Sequence, residues 1–104
     1  MITTHNNQLP IPNPVEADAK ARELLRVWAG GGKQHVALAT GLWKDPANWG
    51  IMLVDLAKHL ARAYEQTDNL DQAQSLARIK AGFDAEWNSA TDNPEGGIEQ
   101  EKGS

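Results

Sequence analysis

The 22-residue run Trp43 to Tyr64, WKDPANWGIMLVDLAKHLARAY, constrains this chain more than any other part of it. It opens with a helix-start signal. Asp45 can accept hydrogen bonds from orphan amides of a first helical turn, and Pro46 fits the first helical position, where a missing N–H costs nothing. Apolar side chains then recur at Trp49, Leu53, Leu56, Leu60 and Tyr64, a spacing that places them on one helix face. Around Ile51 to Val54 the run is apolar on every side, which predicts a helix enclosed by other structure. Such a segment organises a fold without naming a reaction.

Composition narrows the function classes. The chain has 104 residues, of which 40% are hydrophobic and four are tryptophan. That supports one small domain, and a core of this size buries only about two thirds of the unfolded surface. Chains of this kind often gain their remaining stability by pairing with a copy of themselves. Cysteine is absent, which removes disulfides, thiolate metal sites and cysteine nucleophiles and fits a reducing cytoplasm. No apolar run approaches the roughly 20 residues of a spanning helix, so no membrane is expected. Met1 to Asn13 has neither the basic start nor the apolar stretch of a signal peptide.

The net charge is −4, and its distribution matters more than its total. Val15 to Asn88 carries nine basic and ten acidic residues, whereas the tail has Asp92, Glu95, Glu99 and Glu101 against Lys102 alone. The body is balanced and the excess sits in the tail. A nucleic-acid binder needs a cationic stripe to displace counterions from phosphates, and none is present.

The expected organisation is a flexible N-terminal segment over 1–13, a single domain over 14–88, and a disordered acidic tail over 89–104. Asn13-Pro14-Val15-Glu16 marks a short first helix, read as about 14–21, with Asn13 as its cap. Residues 23–29 (ELLRVWA) and 33–40 (KQHVALAT) flank Gly30-Gly31-Gly32, a glycine loop of hairpin length. Pro14 to Trp28 also fits one continuous helix. That reading would leave 34–40 as a strand with no partner in its own chain, and buried unpaired strand edges are costly. The hairpin is therefore preferred. The long helix is expected over 46–66. Asn69 would cap the last helix, with Gln72 completing a capping box.

Four constellations invite chemistry. Asp55 and His59 lie four apart on the long helix, the geometry of a carboxylate orienting an imidazole; the plainer reading is a partly buried polar pair that satisfies itself. Adding His35 gives zinc-type ligands, but no metal-binding run such as HExxH occurs, so no metal is expected. Gly30-Gly31-Gly32-Lys33 lacks the phosphate loop's earlier glycine and following Ser or Thr, since Val27 and Gln34 hold those places. Trp43 and Trp49 flank a helix start whose free amides attract anions, so with Asp55 and His59 they outline a ligand-binding or enzymatic pocket. Gly50, costly inside a helix, suggests either close approach of another backbone or the wall of a pocket.

The segment WKDPANWGIMLVDLAKHLARAY, preceded by ELLRVW and the glycine loop, resembles a family of short bacterial proteins catalogued only as a domain of unknown function, the one numbered 5076. The resemblance covers roughly residues 14–66. It implies a strand–glycine loop–strand pattern and a bacterial intracellular protein. It brings no catalytic residue, cofactor or substrate.

The expected fold is α+β: a two-stranded antiparallel hairpin packed on an antiparallel helix pair, with a short N-terminal helix. A lone hairpin is marginal in water. Its outer edge or its Leu24 and Trp28 face is expected to be covered by a second copy. The leading functional expectation is thus a non-enzymatic homodimeric interaction module without cofactor. The alternative is a pocket built on Trp43, Trp49, Asp55 and His59.

Overall fold

The structure, a computed structural model, describes residues 4–89 and the backbone of 98–100. The architecture is α+β. In chain order it comprises α1 (Asn13–Glu16), β1 (Leu25–Gly30), β2 (Lys33–Leu38), α2 (Ala47–Asp68), α3 (Gln72–Asn88) and β3 (Ile98–Gln100).

β1 and β2 form the antiparallel hairpin that the glycine loop predicts, from Leu25 opposite Leu38 to Gly30 opposite Lys33. The turn itself is Gly31-Gly32, with φ of 61° and 75°. Both values lie in the left-handed region, which a two-residue turn of matching twist requires and which glycine enters without steric cost. Ala39 N–H donates to the Leu24 carbonyl at 3.0 Å, extending the ladder one pair beyond the strands. The continuous-helix reading of 14–28 is excluded, and α1 is one turn long. Its N-terminal boundary is Pro12, with no side-chain cap, so Asn13 does not cap it.

The sheet has three strands, in the order β1-β2-β3. β3 runs parallel to β2, with Val36 opposite Ile98 and Leu38 opposite Gln100. Part of the segment expected as a disordered tail is therefore a strand. The expectation for 90–97 and 101–104 lies outside the described residues.

α2 starts and stops as its residues dictate. Asp45 Oδ1 accepts from Ala47 N–H at 3.0 Å, fulfilling the start signal. At the other end Asn69 adopts a left-handed conformation (φ 55°, ψ 33°) and its N–H donates back to Glu65 at 3.2 Å. Asn69 thus ends α2 rather than capping α3. The cap of α3 is Asp71, whose Oδ2 accepts from Gln74 N–H at 2.9 Å. The physical reason is the tightness of the connection: Asn tolerates the left-handed turn that closes a helix, which leaves the next carboxylate to open the following one.

Packing is where the chain departs from a compact domain. α2 packs against α3, and β2 against both other strands, but among the described residues no strand Cα lies within 8 Å of a helix Cα. The hairpin, the helix pair and the short N-terminal helix expected from sequence are all present, and the segment 39–46 links the hairpin to the helix pair. Among the described residues only Ala39 and Ala61 are buried, and no large side chain is fully enclosed. The accessible surface is 9134 Å², against about 5,700 Å² for a compact monomer of this mass. Allowing a fully extended chain's surface, about 2,400 Å², for the residues outside the described set and about 5,100 Å² for a compact body of the rest still leaves an excess of about 1,600 Å².

Candidate functional site

Most of the exposed large hydrophobic side chains among the described residues lie on the helix pair. Ala61 is completely covered where α2 meets α3, with Leu76 and Ile79 half-buried on the α3 side. To one side of that contact, Leu53, Leu56, Leu60 and Tyr64 follow at steps of three, four and four and form a stripe along α2. On α3, Phe83 and Trp87 continue the apolar row beyond Leu76 and Ile79, and their rings stack with centroids 5.4 Å apart. These six side chains remain exposed, from 41% at Leu56 to 77% at Trp87. Ile51 and Val54, in the stretch that the sequence marks as enclosed, are 62% and 54% exposed. The expectation of enclosure fails within a single chain. Gly50 agrees with this picture, since a Cβ built there would meet nothing within 4 Å.

Of the four residues expected to outline a pocket, the structure brings two into ring contact. Trp43 and Trp49 do meet, edge to face with centroids 5.0 Å apart, and both are half-buried where the linker enters α2. Asp55 and His59 are exposed, and no hydrogen bond joins them. Asp55 lies six residues beyond Trp49, about 9 Å further along the axis, and is turned well over a quarter-circle away from it. The described concavities lie elsewhere: a groove of about 590 Å³ between residues 7–12 and β1, one of about 420 Å³ at the α2–α3 turn, and one of about 400 Å³ at the hairpin. None takes in Trp43, Trp49, Asp55 or His59. Among the described residues no three His, Asp or Glu side chains gather as a metal ion would need.

Leu24 and Trp28, expected at a dimer interface, are both half-buried. The ring of His5 packs on Trp28 with centroids 5.1 Å apart, so the N-terminal segment supplies part of the cover assigned to a second copy. His35, opposite Trp28 in the register, instead sits with its Nε2 3.2 Å from the Gly30 carbonyl. Sequence reading named the α2 stripe but assigned it to the core. It missed the role of Phe83 and Trp87 because periodicity reports which face is apolar and not whether anything covers it.

An α+β chain with a glycine-turned hairpin and an open helix pair is thus the class that the geometry defines. The chain belongs to the family described as Domain of unknown function (DUF5076), whose profile matches residues 8–91. It is similar to a solved structure from the photosynthetic bacterium Rhodopseudomonas palustrus CGA009, provisionally described as a pyruvate dehydrogenase. Identity is 34%, over 89% of this chain and 95% of that one, with a TM-score of 0.69. No curated protein matches. No described helix is long and apolar enough to cross a membrane.

Proposed function

We propose that this chain is a small protein-interaction module without a reaction of its own, that it works as a homodimer, and that the open face of α2 and α3 is the dimer interface. One observation carries the reading: four large apolar side chains in a row on α2 and two more on α3 stay open, and among the described residues no large side chain is fully buried. Covering a half-exposed Leu or Phe is worth about 1 kcal/mol. The whole row therefore rivals a large fraction of the net stability of a small domain. A second copy is the occupant argued for, because every chain carries the same deficit and a two-fold interface meets both at once. The excess surface also matches the area that obligate homodimers bury on each side. Enclosure of Ile51 to Val54 then occurs between chains. A bacterial cytoplasmic setting accords with the family resemblance and with the cysteine-free sequence.

Sedimentation equilibrium tests the reading. A mass of at least two chains at tens of micromolar, lost on Leu60→Asp, supports it. A strict monomer that melts cooperatively overturns it.

The alternative, a small-molecule or enzymatic site near Trp43 and Trp49, draws on their edge-to-face pair and on the description of the Rhodopseudomonas relative. Titration of tryptophan fluorescence with pyruvate and a panel of small anions decides it. A saturable change lost in Trp43→Phe favours the pocket.

A further inference from the structure

The sheet carries a second unsatisfied surface, independent of the helix face. β1 is at the edge of the sheet. The hairpin's register fixes which of its backbone groups point outward. The two-residue turn closes on the pair Gly30–Lys33, and the Ala39 to Leu24 bond falls on the same alternation. Even-numbered residues of β1 therefore bond to β2. The N–H and C=O groups of Leu25, Val27 and Ala29 face away from it, where no backbone partner meets them among the described residues.

Natural edge strands are usually blunted by proline, lysine, bulges or brevity. Leu25–Gly30 contains neither proline nor lysine and pairs without a bulge over six residues. Its single charge, Arg26, is held by Glu23 at 2.8 Å. Beside this edge lies the groove of about 590 Å³, walled by Leu9, Ile11, Val15, Leu25 and Val27. Arg22, Glu23 and Arg26 also line this channel, which runs along an unpaired strand.

We infer that this edge pairs antiparallel with β1 of a second copy, joining two three-stranded sheets into one. The sequence of β1 suits its own reversal. Hydrogen-bonded pairing of the outward groups allows a two-fold axis at residue 26, 27 or 28. An axis at Arg26 sets two guanidinium groups against each other, and one at Trp28 loses Leu25 from the overlap. An axis at Val27 pairs Val27 with itself, Leu25 with Ala29, and Arg26 with Trp28. The last pair occurs twice and brings a cation to an aromatic face. A chain with both this edge and the helix face carries two different two-fold interfaces, which close into a tetramer when their axes are perpendicular.

Val27→Pro is the test. It removes an outward N–H and no β1–β2 hydrogen bond, so the hairpin survives, as proline at edge positions does elsewhere. Light scattering should show the assembly mass halved, with the far-ultraviolet circular dichroism unchanged. Leu60→Asp, in parallel, reports the helix interface: halving by each variant alone and a monomer in the double variant support both contacts. Halving by Val27→Pro alone supports the edge pairing and removes the helix interface. Hydrogen exchange guards against misfolding of the variant. In the wild type, the amides of Leu25, Val27 and Ala29 should be protected at high protein concentration and lose at least ten-fold of that protection on dilution. An unchanged mass in folded Val27→Pro, or fast exchange of those three amides at every concentration, overturns the inference, including the case in which another protein's strand occupies the edge.

Discussion

The hairpin and the helix pair solve the same problem to different degrees. In the hairpin, two glycines with positive φ set the turn, the turn sets the register, and the register pairs Val27 with Val36 and Leu25 with Leu38. In the helix pair, Asp45, Asn69 and Asp71 place the ends by side-chain and backbone hydrogen bonds within a few residues. Both regions are locally complete. They differ in burial. Three of the four residues in those two apolar pairs of the hairpin are at least half-covered, whereas the helix pair leaves an entire row open to solvent. Hydrogen bonds that close over short sequence distances can be met by one small chain. Covering apolar area depends instead on what distant segments bring against it.

The largest effect should come from the open row. Leu60→Asp introduces a charge at the centre of the α2 stripe. Its expected cost is about 2 kcal/mol from each copy, a roughly 1,000-fold weaker dimer by sedimentation, with helix content retained. A variant that associates as tightly as the wild type would break the contrast between the two regions.

Ala61→Leu probes the one enclosed point of the helix pair, where exposure is 0%. Overpacking should cost about 1–3 kcal/mol in urea unfolding. A neutral result would mean that α2 and α3 separate freely and that the pair is not a unit.

Gly32→Ala compares the regions directly. At φ 75° an alanine is strained, and a loss of about 1 kcal/mol with frayed hairpin amides is expected. Asp71→Ala removes the α3 cap and should cost about 1 kcal/mol in thermal unfolding. Equal losses from the two would show the sheet and the helix pair melting together; only one loss would show separate units. The smallest effect belongs to Asp55→Asn with His59→Gln. Both positions are exposed, and the stability should change by less than about 0.5 kcal/mol.

Much of the secondary structure was legible because its signals are local. The glycine turn, the Asp45-Pro46 start and the apolar period of α2 each act over a few residues. That Asn69 ends α2 while Asp71 caps α3 was not, since two capping residues stand three positions and one position before Gln72, and the turn geometry decides between them. β3 was missed because its pairing with β2 depends on contacts some sixty residues apart. The candidate site was half legible. The stripe from Leu53 to Tyr64 was visible, but its solvent exposure was not, and Asp55 with His59 suggested a pairing that the side chains do not make.

Residue order alone determined where this chain turns, where its helices begin, and which helix face is apolar, since each of those follows from steric and hydrogen-bonding preferences of near neighbours. Only the tertiary structure decided that the apolar face stays uncovered and that β1 presents an unpaired edge. Coverage depends on how distant segments meet in space, which no spacing rule within one helix or strand reports.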